Sequence, residues 1–112
     1  MSRVKWVLLG LAIVLEVVGT LSLRATDGFS RVGFTVLTAV AYLGAFVSLG
    51  MVLKQGVPVG VAYGIWAAIG VALVALLGKV VFGDPLTPTM WLGVLLIAAG
   101  VWLVETGAHP GR

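Results

Sequence analysis

The sequence predicts an all-α membrane protein: one transmembrane domain over residues 1–112, with four transmembrane helices per chain. Three observations carry this. Of 112 residues, 61% are hydrophobic and 10% are charged, against about 25% charged in an ordinary soluble domain. Four Asp+Glu and seven Lys+Arg cannot coat a compact body in water, so most of the exterior faces lipid. Finally, the chain holds four apolar runs near the roughly 20 residues a membrane helix needs, joined by short links.

The first run spans residues 4–23 and is interrupted by a single acid, Glu16. Arg3 and Lys5 at its start resemble the opening of a signal peptide, but Glu16 within the run and Arg24 close behind it favour a retained helix. The second, residues 32–53, carries no charge. The third, residues 57–77, is expected to hold Pro58 in its first turn, where a missing N–H costs no intrahelical bond. The fourth, residues 88–105, follows the turn-rich stretch Gly83-Asp84-Pro85-Leu86-Thr87-Pro88 and stops before Gly107 and Pro110. Glu105 at its end reads as interfacial. Helices joined this briefly are antiparallel neighbours.

Charge placement then sets the orientation. With alternating spans, Arg3, Lys5, Lys54 and Arg112 lie on one side and Arg24, Arg31 and Lys79 on the other. Positive residues orient a membrane protein only through an excess on one side. So even a balance suggests copies inserted in both directions and a functional antiparallel, dual-topology dimer, the two-chain counterpart of an inverted repeat. The scattered basic residues contact lipid headgroups rather than nucleic acid. No cysteine is present, His109 is the lone histidine, and no motif calls for a metal, nucleotide or other cofactor.

Glu16 is the candidate site. It lies roughly 16 Å along the helix from Lys5 and roughly 12 Å from Arg24, near the bilayer centre. A charge there costs about 3 kcal/mol or more. Its structural explanation would be a protonated glutamate bonded to a neighbouring helix, but such contacts more often use Ser, Thr or Asn. A desolvated carboxylate is stabilised by whatever neutralises it, a proton or a cation. The two exclude each other, and in a protein open to one side at a time that exclusivity couples their movements in opposite directions.

Aromatic walls suit a bound organic cation. Tyr63 and Trp66 share a face of the third span, as Tyr42 and Phe46 do on the second; Trp6, Trp91 and Trp102 read as interfacial or lipid-facing. Gly60 and Gly64, with Gly56 before them, form a small-residue face that admits a neighbouring helix. Gly70 is either a hinge at which the third helix bends or a packing notch. Gly93 and Gly100 share a stripe of the fourth span with Leu96, Ile97 and Val104, expected to serve dimer packing or, within one chain, the third helix.

Leu15-Glu16-Val17-Val18-Gly19-Thr20, followed by Leu23-Arg24 and Asp27-Gly28-Phe29-Ser30-Arg31, resembles the first-helix and first-loop signature of the small multidrug resistance family. Pro58-Val59-Gly60-Val61-Ala62-Tyr63-Gly64-Ile65-Trp66, with Gly70 and the Gly93 to Gly100 spacing, does so too. The resemblance implies a proton-coupled exporter of small organic cations working as an antiparallel dimer in a bacterial inner membrane. It implies a proton and substrate carboxylate at Glu16, and substrate contacts at Tyr63, Trp66, Tyr42 and Phe46, with Gly19 and Thr20 beside them. Guanidinium exporters of this family carry Trp where this chain has Gly19, so the resemblance implies quaternary-ammonium substrates. A homodimer is expected, with pairing to a paralogous chain as the alternative. The rivals are a guanidinium or small-metabolite exporter and a non-transporting accessory subunit.

Overall fold

The computed structural model describes residues 2–108 as four helices: α1 (Ser2–Ala25), α2 (Val32–Lys54), α3 (Val59–Phe82) and α4 (Pro88–Gly107). His109, Pro110 and Arg112 lie outside the described residues. All four helices are long and apolar enough to cross a membrane, and the protein is a multi-pass membrane protein.

The boundaries follow from local chemistry. Between α1 and α2, Asp27, Gly28 and Phe29 all take positive φ, at 50°, 68° and 67°, a costly conformation for the two that carry side chains. Buried Thr26 holds this knot together. Its hydroxyl donates to the Leu23 carbonyl at 2.7 Å and accepts from the Phe29 amide at 3.1 Å, and the Ser30 hydroxyl donates to the Thr26 carbonyl at 3.2 Å. After α2 the chain reverses through Gly56, at φ 93°.

The third helix departs from the sequence expectation at both ends. It begins at Val59, because Pro58 disfavours the helical conformation in Val57 and is itself extended, at φ −56° and ψ 140°. Pro58 therefore stands just ahead of the first turn rather than inside it. The helix also continues past Leu77 through Gly78 and Lys79, since one glycine costs a helix only about 1 kcal/mol. It closes at Gly83, whose left-handed φ of 73° lets its amide bond the Lys79 carbonyl at 3.0 Å and the Asp84 amide reach the Gly78 carbonyl at 3.2 Å. At the start of α4 the Thr87 hydroxyl accepts from the Met90 amide at 3.2 Å, with Pro88 in the first turn.

The core lies among α1, α2 and α3, built from Leu9, Ala12, Ile13, Val17, Leu49, Val52, Val61, Ala62 and Trp66. Helix α1 packs along α2 and, less extensively, on α3. Helix α4 packs on α3 and contributes no buried residue. A methyl added at Gly60 would lie 3.6 Å from Val104, and one at Gly64 3.5 Å from Val101, so the small-residue face admits α4 of the same chain. Val104 is thus engaged within the chain. Among the described residues, nothing lies within 4 Å of a methyl added at Gly93 or Gly100.

Candidate functional site

Glu16 is half-buried on α1, with its two carboxylate oxygens in different settings. Oε2 accepts from the Thr20 hydroxyl at 2.8 Å, a contact the i, i+4 spacing brings within reach. The Thr20 oxygen in turn lies 2.7 Å from the Tyr42 hydroxyl of α2. A hydroxyl has one proton to give. With Glu16 ionised, Thr20 gives its proton to the carboxylate, so Tyr42 must donate to Thr20. A proton on Glu16 permits both bonds to reverse, with Glu16 donating to Thr20 and Thr20 to Tyr42. Thr20 therefore couples the charge state of α1 to a side chain on α2.

Oε1 faces α3. A methyl built at Gly70 would stand 2.8 Å from it, so the carboxylate occupies the room that the missing side chain leaves. Helix α3 runs unbroken through this point. Gly19 does the same for Tyr42: a methyl there would meet the ring at 2.7 Å. Gly19 is buried under that ring, and so bears on the site through Tyr42. Glu16, Thr20 and Gly70 line a cavity of about 340 Å³ with Val71, Val74 and Ala75. Among the described residues no basic side chain is within ion-pair distance of Glu16.

The other aromatic residues gather around Trp66. Phe46 meets its ring edge-on at a centroid distance of 5.5 Å, and Tyr63 at 5.4 Å, separations typical of T-shaped pairs. Trp66 is 8% exposed, whereas Phe46 and Tyr63 are 57% and 58% exposed. These two thus present open faces beside a buried anchor. The buried Trp66 Nε1–H has no hydrogen-bond partner among the described residues, a donor left available. Tyr42 and Phe46, one turn apart on α2, link this cluster to the Glu16–Thr20 pair.

Three contacts escaped the sequence reading: the approach of Glu16 to Gly70, that of Tyr42 to Gly19, and an ion pair between Arg24 and Asp84. Arg24 Nη1 donates to both Asp84 oxygens, at 3.1 and 3.0 Å, and its guanidinium lies 4.8 Å from the centre of the Phe82 ring. Sixty positions separate the partners, beyond the reach of any local pattern.

The family described as Small Multidrug Resistance protein matches residues 4–97. Spermidine export protein MdtI of Salmonella paratyphi A is 38% identical over 108 residues, covering 94% of this chain and 98% of its own. The MdtI proteins of Salmonella paratyphi B and Salmonella newport are 37% identical with the same coverage. A match spanning nearly the full length of both chains, at this identity, makes the protein a member of the small multidrug resistance family, whose members are small-molecule transporters rather than enzymes.

Proposed function

We propose that the protein exports hydrophobic organic cations of the quaternary-ammonium type across a bacterial inner membrane in exchange for protons, working as an antiparallel homodimer. The observation that carries this reading is a membrane-embedded carboxylate with no basic partner among the described residues, lining a cavity of about 340 Å³. Such a group is costly in a bilayer unless it serves binding or proton transfer. In one half of the cycle a cation displaces the proton from Glu16. In the other, a proton from the opposite side displaces the cation. Thr20 bonds the carboxylate in either state and Tyr42 bonds Thr20, and the open faces of Phe46 and Tyr63 offer cation–π contact. Gly70 gives the carboxylate its clearance. A hinge at the same residue would act only as the site changes sides. The dimer reading is supported by α4, whose outer residues Leu92, Leu95, Leu96, Trp102 and Leu103 are exposed, and by the open stripe at Gly93 and Gly100.

The test uses purified protein in detergent and tetraphenylphosphonium. Binding should release protons, and both signals should disappear in Glu16→Gln. Proton release that persists in this variant would show that another group carries the exchange.

A second substrate reading comes from the relatives: three proteins at 37–38% identity are named spermidine exporters. Uptake of labelled spermidine and of tetraphenylphosphonium into proteoliposomes with an imposed proton gradient separates the two classes.

A further inference from the structure

Three cavities with shared lining residues follow one another from Glu16 to the charged end of α1. The cavity at Glu16 shares Thr20 and Val74 with a second, of about 190 Å³, that reaches Arg24, Gly78 and Asp84. The second shares Leu21, Arg24 and Phe82 with a third, of about 630 Å³, that ends among Asp27, Arg31 and Phe34. The Arg24–Asp84 ion pair stands in the middle of this groove. Asp84 is fixed there by the turn at Gly83 and by Gly78, where a methyl would lie 3.0 Å from Oδ2. The pair itself is loosely held: the side chains are 57% and 39% exposed, and ion pairs this open are weak and readily exchanged.

We propose that Asp84 is a second cation-binding station on the export route, selective for linear polyamines, and that Arg24 is the resident cation such a substrate displaces. Arg24 is eight residues beyond Glu16 on α1, about 12 Å at the helical rise, and Asp84 is in contact with it. The groove therefore places two carboxylates on that length scale, with the Thr20 oxygen between them. A triamine with three- and four-carbon spacers has nine bonds between its end nitrogens, roughly 11 Å when extended. Its terminal ammonium groups span the two acids. A polycation leaving water needs more than one counter-charge, whereas a lipophilic monocation is neutralised by Glu16 alone. This inference rests on the assignment of Glu16 as the primary cation site.

The experiment measures spermidine and tetraphenylphosphonium binding by calorimetry on the purified full chain, as wild type, Asp84→Asn and Arg24→Gln. Asp84→Asn should weaken spermidine about fivefold, the scale of a partly exposed charge pair, and leave tetraphenylphosphonium unchanged. Arg24→Gln, lacking the competitor, should bind spermidine at least as tightly as wild type. Equal weakening of spermidine in both variants would make the pair a structural latch and overturn the proposal. So would unchanged spermidine binding in Asp84→Asn, equal loss of both ligands in that variant, or a wild type that binds tetraphenylphosphonium but not spermidine. In that last case the Glu16 assignment stands. A wild type that binds neither ligand overturns both.

Discussion

Gly70→Ala isolates the position of the Glu16 carboxylate from the stability of the fold. The added methyl would lie 2.8 Å from Oε1, about 0.6 Å inside an ordinary van der Waals contact. What must yield is the far end of a flexible side chain, so the backbone can remain where it is. Alanine is also favoured over glycine in a helix by roughly 1 kcal/mol, and the melting temperature should hold or rise. The carboxylate, however, is pushed off the 2.8 Å bond from Thr20, and hydrogen bonds to charged groups contribute about 1.5–3 kcal/mol. Losing half or more of that corresponds to about tenfold weaker tetraphenylphosphonium binding. The assay is equilibrium binding beside a thermal melt on the same preparation. Wild-type affinity in Gly70→Ala would refute the clearance argument, and wild-type affinity with abolished transport would identify Gly70 as the bending point instead.

The Tyr42 side of the relay gives two further tests. Tyr42→Phe removes the 2.7 Å contact with Thr20 and should cost about 1 kcal/mol of stability, read by thermal melt, with several-fold weaker cation binding. Gly19→Ala drives a methyl against the Tyr42 ring at 2.7 Å; a ring packed between helices cannot swing away as a carboxylate can, so an overpacking loss of about 1–3 kcal/mol should appear as a lower melting temperature. At the outer stripe, no described residue lies within 4 Å of a methyl added at Gly93 or Gly100, so Gly93→Val with Gly100→Val should preserve helicity while abolishing crosslinked dimer in liposomes; undiminished crosslinking would place the dimer contact elsewhere. Gly64→Val, by contrast, presses on Val101, which is 3.5 Å away from even a methyl, and should lower the melting temperature.

The four helices were legible because lipid imposes a simple rule: about twenty apolar residues, then a break. The boundaries that differed turned on local steric detail. Pro58 restricts Val57 before it, and the third helix runs through Gly78 to the left-handed turn at Gly83. Within the site, Glu16 stood out as a charge in an apolar run, and Thr20 is one turn away on the same helix. The contacts across helices had no such signal. Gly19 is expected beside the substrate and Gly70 at a hinge or a packing notch, and only the three-dimensional arrangement shows that the space at one is filled by the Tyr42 ring and at the other by the Glu16 carboxylate. Arg24 and Asp84 read as two unrelated interfacial charges because nothing in a linear pattern marks residues sixty positions apart.

The distribution of exposure bears on how much of a binding chamber one chain can supply. Glu16 is half-buried and Trp66 nearly enclosed, yet Phe46 and Tyr63, which flank Trp66, each leave more than half of their surface open. Cation–π attraction is strongest when the ring and the cation are both shielded from water, so two aromatic faces this open form one wall rather than an enclosure. No described residue of α4 is buried, so that helix adds no inner wall to its own bundle and presents its apolar surface outward. An opposing wall would have to come from a second chain. On the proposed dimer reading an antiparallel copy would supply that wall with the residues already present, bringing its own carboxylate and aromatic faces to the other side of the chamber, and the near-equal split of positive charge between the two membrane sides, four residues against three, would let the two copies insert in opposite directions.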